Sequence, residues 1–169
     1  MTEGSTQVGI ARSRAGNVRP PCDEATVRSA LGEVMDPELP MISIVELGMV
    51  GAVEVGEDLV RVEILPTFVG CPALEVVRSV VAERLGSFGR PVEVATSYMP
   101  PWSSERITPA GLAALAAAGI APPAPPDEVR CPLCGSAQVV LDNVFGPTQC
   151  RSLFYCRGCR QPFEAIKPI

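Results

Sequence analysis

Two Cys-x-x-Cys pairs, Cys131-Pro-Leu-Cys134 and Cys156-Arg-Gly-Cys159, stand twenty-one residues apart in a chain of 169 residues. Two thiolates at this spacing reach one ion from a tight turn, and four of them close a tetrahedron around Zn²⁺ or a single iron. Gly135 and Gly158 let each turn fold back toward its sulfurs. A segment of about forty residues has too small a core to fold unaided, and metal ligation supplies the missing stabilisation. The spacing predicts a Cys₄ zinc ribbon over 128–169, held by Cys131, Cys134, Cys156 and Cys159. Four protein thiolates leave no open position for water, so this zinc reads as a structural staple.

The remaining cysteines and the missing histidines narrow the chemistry further. Cys150 lies six residues before Cys156 and reads as a small buried residue, a spare thiol or a fifth ligand competing with Cys156. The paired knuckles already complete a tetrahedron, which favours the first two readings. The chain has no histidine, which removes His triads, His bases and His ligands. It also lacks a phosphate-binding Gly-rich loop and a legible nucleophile–base pair, so it is not expected to be an enzyme in its own right. No apolar run is long enough to cross a bilayer and no signal-peptide core is visible. A soluble, cytoplasmic protein is expected, and there paired cysteines point to metal rather than disulfides.

Charge and proline divide the chain. Residues 1–21 carry one acid and three Arg and end in Pro20-Pro21, and are predicted to be a disordered leader. Residues 22–120 hold fourteen acids and six bases, a net −8, which argues against a nucleic-acid partner. Within them, Asp23 opens a helix to about Met35, with Val27, Ala30, Leu31 and Val34 on one face. A hairpin follows, Gly48–Val55 and Leu59–Leu65 around Gly56-Glu57-Asp58. Pro72 at a first helical position makes Cys71 the predicted N-cap of a helix that Gly86 ends. Val92–Tyr98 reads as a third strand, and Thr108-Pro109 starts an Ala-rich helix ending at Gly119. The order α-β-β-α-β predicts an α+β domain over 22–120, a small sheet covered by helices. Residues 121–127 (Ala-Pro-Pro-Ala-Pro-Pro-Asp) are predicted to be an extended linker to the ribbon.

Cys71 is the most informative single residue outside the ribbon. A thiol at a helix N-terminus feels the positive end of the macrodipole, which stabilises thiolate. Such a sulfur can attack, be oxidised, or bind a soft metal or iron–sulfur cluster; equally, it can be a buried cap. Asp36 and Glu38 on a Pro-bracketed loop read first as solvated turn residues, with a helix-capping or iron-binding role as the alternative.

Taken together, Asp36-Pro-Glu-Leu-Pro40 and Thr67-Phe-Val-Gly70-Cys71-Pro72 resemble the small iron–sulfur assembly domain of cluster-targeting proteins. Adding Tyr98-Met-Pro-Pro-Trp102, Phe145-Gly-Pro-Thr-Gln-Cys150 and Cys156-Arg-Gly-Cys159-Arg-Gln-Pro-Phe163 makes residues 22–169 similar to the D subunit of the bacterial phenylacetyl-CoA epoxidase (ring-1,2 monooxygenase) system. The resemblance implies an accessory role in phenylacetate catabolism: maturing the di-iron site or the iron–sulfur cluster of the oxygenase. It implies that Cys71 transiently holds iron or a cluster and that the hydroxylase or reductase subunits are partners, a homodimer sharing one cluster being left open. The family commonly has Tyr-Ser where this chain has Phe68-Val69, and often a Lys-Cys-His type tail where this chain has Lys167-Pro168-Ile169. The rival reading is a non-catalytic adaptor subunit of the oxygenase complex, with Cys71 inert.

Overall fold

The computed structural model describes residues 22–169, so the leader expected over 1–21 lies outside them. Asp23 accepts the N–H of Thr26 at 2.8 Å and caps α1 (Glu24–Leu31), which buries Val27, Ala30 and Leu31. The helix stops four residues short of the expected Met35. Gly32, a poor helix former, takes the C-cap, and Met35 pairs with Ser43 in an isolated antiparallel bridge. The Asp36 carboxylate then competes for backbone: Oδ1 accepts the N–H groups of Glu38 (2.9 Å) and Leu39 (2.8 Å), folding the acidic loop into a turn.

Strands β1 (Val50–Val55) and β2 (Val60–Ile64) form the expected hairpin, and α2 (Leu74–Gly86) carries the chain to β3 (Val92–Thr96), parallel to β2. The period of two decides the faces of the central strand. Val60, Val62 and Ile64 are fully buried beneath the helices, at roughly 1.5–3 kcal/mol each. Arg61 points out between its register partners Glu54 and Glu93 and bonds Glu93 at 2.9 Å.

Gly48 marks the entry to β1. Its φ is +74°, and a Cβ there would stand 2.4 Å from the Arg106 carbonyl oxygen. That closeness lets the Arg106 guanidinium donate to the Gly48 and Val50 carbonyls at 2.9 and 3.1 Å, pinning the turn Ser104–Arg106 onto the hairpin. Gly48→Ala combines left-handed strain with a backbone clash and is expected to cost about 2 kcal/mol or more, read as a lowered thermal midpoint.

Thr108 accepts the N–H of Gly111 at 3.1 Å and caps α3 (Pro109–Ala117). The chain then enters β4 (Ile120–Ala121), which runs parallel to β7 (Pro162–Ile166), so the segment expected to be a spacer from 121 begins as buried strand. With β5 (Val139–Asn143) and β6 (Arg151–Cys156) it forms a second sheet in the order β4-β7-β6-β5. Its core is small: Val129, Ala165, two ribbon cysteines, and the rings of Phe154 and Phe163 stacked at 5.6 Å. Ile120 and Ile166 leave this cluster and pack into the core of the first unit, and the Ile169 carbonyl accepts the Ser104 N–H at 3.0 Å. The architecture is α+β, a helix-covered sheet followed by a cysteine ribbon.

Candidate metal-handling sites

The ribbon knuckles are built alike. Gly135 N–H bonds Cys131 O and Arg160 N–H bonds Cys156 O, both at 2.8 Å, and the residue after each second cysteine is left-handed, Gly135 at φ +73° and Arg160 at +61°. In the second knuckle the left-handed position is thus Arg160 and not the expected Gly158. Gly158 answers a packing demand instead, since a Cβ there would lie 2.9 Å from Ser136 Oγ. The Sγ atoms of Cys131 and Cys159 are 3.7 Å apart, those of Cys134 and Cys156 3.6 Å, and all four lie within 4.8 Å of one another. Tetrahedral thiolates at about 2.3 Å from zinc stand about 3.8 Å from each other, so the four sulfurs fit one such ion. They also share their protons. The N–H of Cys159 pulls Cys156 down to about 6, while burial pushes Cys159 up to about 12, so the set holds a thiolate ready for a cation at neutral pH.

The second site lies where the two units meet. Cys71, Asp36 and Glu38 line a cavity that the ribbon closes with Cys150. Its apolar wall includes Leu47, Met49, Trp102 and Ile166. The free space is about 10 Å³ for the centre of a water-sized body, room for about one. Asp36, expected as a solvated turn residue, is 6% exposed; Glu38 is half-buried.

Cys71 is not the helix cap. Helix α2 begins at Leu74 with Ala73 as N-cap and no side-chain cap bond, because Pro72 and Ala73 are spent on a turn closed by Leu74 N–H to Cys71 O at 3.3 Å. Nor is its thiolate favoured, as a place at the positive end of a helix would have made it. Burial pushes the Cys71 thiol up, the N–H of Ala73 on the sulfur pulls the other way without offsetting it, and the Glu38 and Asp36 carboxyls add to the rise. Burial likewise raises the Asp36 carboxyl, against the N–H groups of Glu38 and Leu39 and then the Arg151 guanidinium, and raises that of Glu38 together with the neighbouring Asp36. The cavity thus sets one sulfur beside two carboxyls whose charged forms burial disfavours.

Residues 24–95 match the iron-sulfur cluster assembly protein family, and residues 118–167 match the PaaD zinc beta ribbon domain. The crystal structure of a domain of unknown function, DUF59, from Bacillus anthracis superposes with a TM-score of 0.51 at 32% identity, covering 54% of this chain and 90% of that one. An iron-sulfur cluster carrier protein of Mycobacterium tuberculosis (strain ATCC 25618 / H37Rv) is 47% identical over 62 residues, 36% of this chain and 15% of that protein. A protein of Escherichia coli (strain K12) described as the D subunit of 1,2-phenylacetyl-CoA epoxidase is 36% identical over 165 residues, 92% of this chain and 99% of that one. The chain belongs to the family of phenylacetyl-CoA epoxidase D subunits.

Three residues of this D-subunit family member escaped sequence reasoning about the cavity. Cys150 was visible only as a cysteine in excess of the ribbon's four, and its place beside Cys71 depends on the fold. Arg151, buried and paired with Glu164 and with Thr148 Oγ1 (2.8 Å), carried no motif. Lys167, in the tail that departs from the family pattern, lies 4.3 Å from the Phe145 ring centroid and donates to Gln149 O at 2.6 Å. Its own N–H bonds Cys150 O at 2.9 Å, so the tail braces the loop that brings Cys150 to the cavity. Among the described residues no helix is long and apolar enough to cross a membrane.

Proposed function

We propose that this D-subunit family member is an accessory maturation factor for the metal centres of the phenylacetyl-CoA epoxidase, acting without catalysing the oxygenation itself. The observation that carries the reading is the Cys71 sulfur standing at a cavity with the buried Asp36 carboxylate, inside a domain matched to iron–sulfur cluster assembly. Iron, alone or in a cluster, is the cargo. Cys71 supplies a soft sulfur donor and Asp36 and Glu38 supply hard oxygens, a mixed set suited to iron(II). A cation entering the site displaces the thiol proton to solvent, and restoring that proton favours release to an acceptor. The ribbon holds structural zinc and presents the cargo to the hydroxylase or reductase subunits, in the cytoplasm.

The test separates action before turnover from action during it. Oxygenase produced without this chain is expected to assemble but to be poor in iron, sulfide or both, and Cys71→Ser is expected to abolish growth on phenylacetate with zinc content unchanged. Metal-replete hydroxylase and reductase are then expected to turn over at the same rate with or without this chain. A requirement for equimolar chain in that assay, together with normal growth of the Cys71→Ser strain, would identify an adaptor subunit instead.

A further inference from the structure

We infer that Cys150 is the second sulfur donor of the Cys71 site, so that the ribbon completes, with the Asp36 carboxylate, a site for a single divalent ion between the two units. This rests on the reading of Cys71 as the metal-handling sulfur and adds to it a ligand, a stoichiometry and a role for the ribbon.

Three observations converge. First, Cys71 precedes α2, Asp36 follows α1 and Cys150 precedes β6, and all three line one cavity although they come from separate segments. Second, Asp36 is more than nine-tenths buried and the N–H groups of Glu38 and Leu39 both bond Oδ1, which leaves Oδ2 available as an oxygen donor to an ion. Burial makes the charged form of this carboxyl costly, and a cation beside it would offset that cost. Third, the room is that of one water-sized body. An ion stripped of most of its water fits that volume; a cluster of several iron and sulfide atoms exceeds it.

The donors stand around the cavity without yet gathering on one centre, since among the described residues only the ribbon sulfurs gather three or more donor atoms within 4.8 Å. Cys150 Sγ is held 3.2 Å from Thr148 Oγ1, and this contact yields when the sulfur turns to the ion. Binding forms two sulfur–metal bonds, releases the two thiol protons to solvent and changes no oxidation state. A site that must assemble around its ion releases it more readily than the preformed ribbon tetrahedron does, which suits transfer.

The experiment uses the full chain with its ribbon zinc in place, reduced and anaerobic, titrated with cobalt(II) chloride as the probe. Wild type is expected to take one cobalt beyond the zinc, with a sulfur-to-cobalt charge-transfer band. Cys150→Ser and Cys150→Ala are each expected to lose about half the band, and at least the ~10-fold in affinity that even an outer partner is worth. Cys71→Ser is expected to behave alike, and the double variant to bind none; zinc content and far-UV circular dichroism confirm that each variant folds. A wild-type band and affinity in both Cys150 variants, with loss in Cys71→Ser, would overturn the two-sulfur site and leave the function of Cys71 standing. Indifference to both cysteines would overturn both. Reconstitution with iron(II) and sulfide is expected to load one iron without labile sulfide at this cavity; Cys71-dependent sulfide in the monomer would overturn the single ion.

Discussion

Stripping the ribbon's metal, with a chelator or by Cys131→Ser or Cys156→Ser, is expected to unfold residues 128–166 while the first unit stays folded. The physical reason is the imbalance between core and chain. The ribbon buries two phenylalanines and little else that is large, whereas zinc ligation in small domains is worth about 10–16 kcal/mol. Nothing of comparable size remains once the sulfurs are released. Hydrogen exchange checks it: amides of β5, β6 and β7 should lose protection together, while β2 and α2 keep theirs. Because β7 carries Ile166 and the loop before β6 carries Cys150, the same treatment should also open the cavity around Cys71. A metal-free chain with full protection over 128–166 would show that the small core suffices.

Trp102→Ala should cost about 3–5 kcal/mol, a large share of the stability of a domain this size. Trp102 is 4% exposed, donates Nε1–H to Leu47 O at 2.9 Å and lines the cavity beside Cys71. Alanine leaves a void and an unpaired carbonyl. Trp102→Phe keeps much of the apolar surface but still orphans that carbonyl, so an intermediate loss of about 1–3 kcal/mol is expected. This is the chain's single Trp, so the variants are followed by far-UV circular dichroism in denaturant rather than by fluorescence. A loss under about 1 kcal/mol for Trp102→Ala would mean that this ring does not hold the hairpin against the 99–102 segment in solution.

What was legible in the sequence was whatever short-range chemistry enforces. The alternation of Val60, Val62 and Ile64 with Arg61 and Glu63 stated a strand and its buried face, since strand period follows from backbone geometry alone. Asp23 and Thr108 announced helix starts because their side chains satisfy orphan N–H groups three residues on. The Cys-x-x-Cys pairs could be grouped because each pair spans one tight turn. Helix ends were less legible: Gly32 stopped α1 early, and the Pro72-Ala73 turn delayed α2 to Leu74, so Cys71 lost both its cap role and its favoured thiolate. The placing of Cys150 was not legible at all. It lies seventy-nine positions from Cys71, and only the pairing of β4 with β7, the Ile166 side chain in the first core and the Lys167 brace bring it to the same cavity. Sequence spacing encodes contacts within a turn or a hairpin, where the chain itself sets the distance. A site shared between units depends on how two separately formed surfaces pack, and that is decided by buried shape and apolar area once the whole chain has folded.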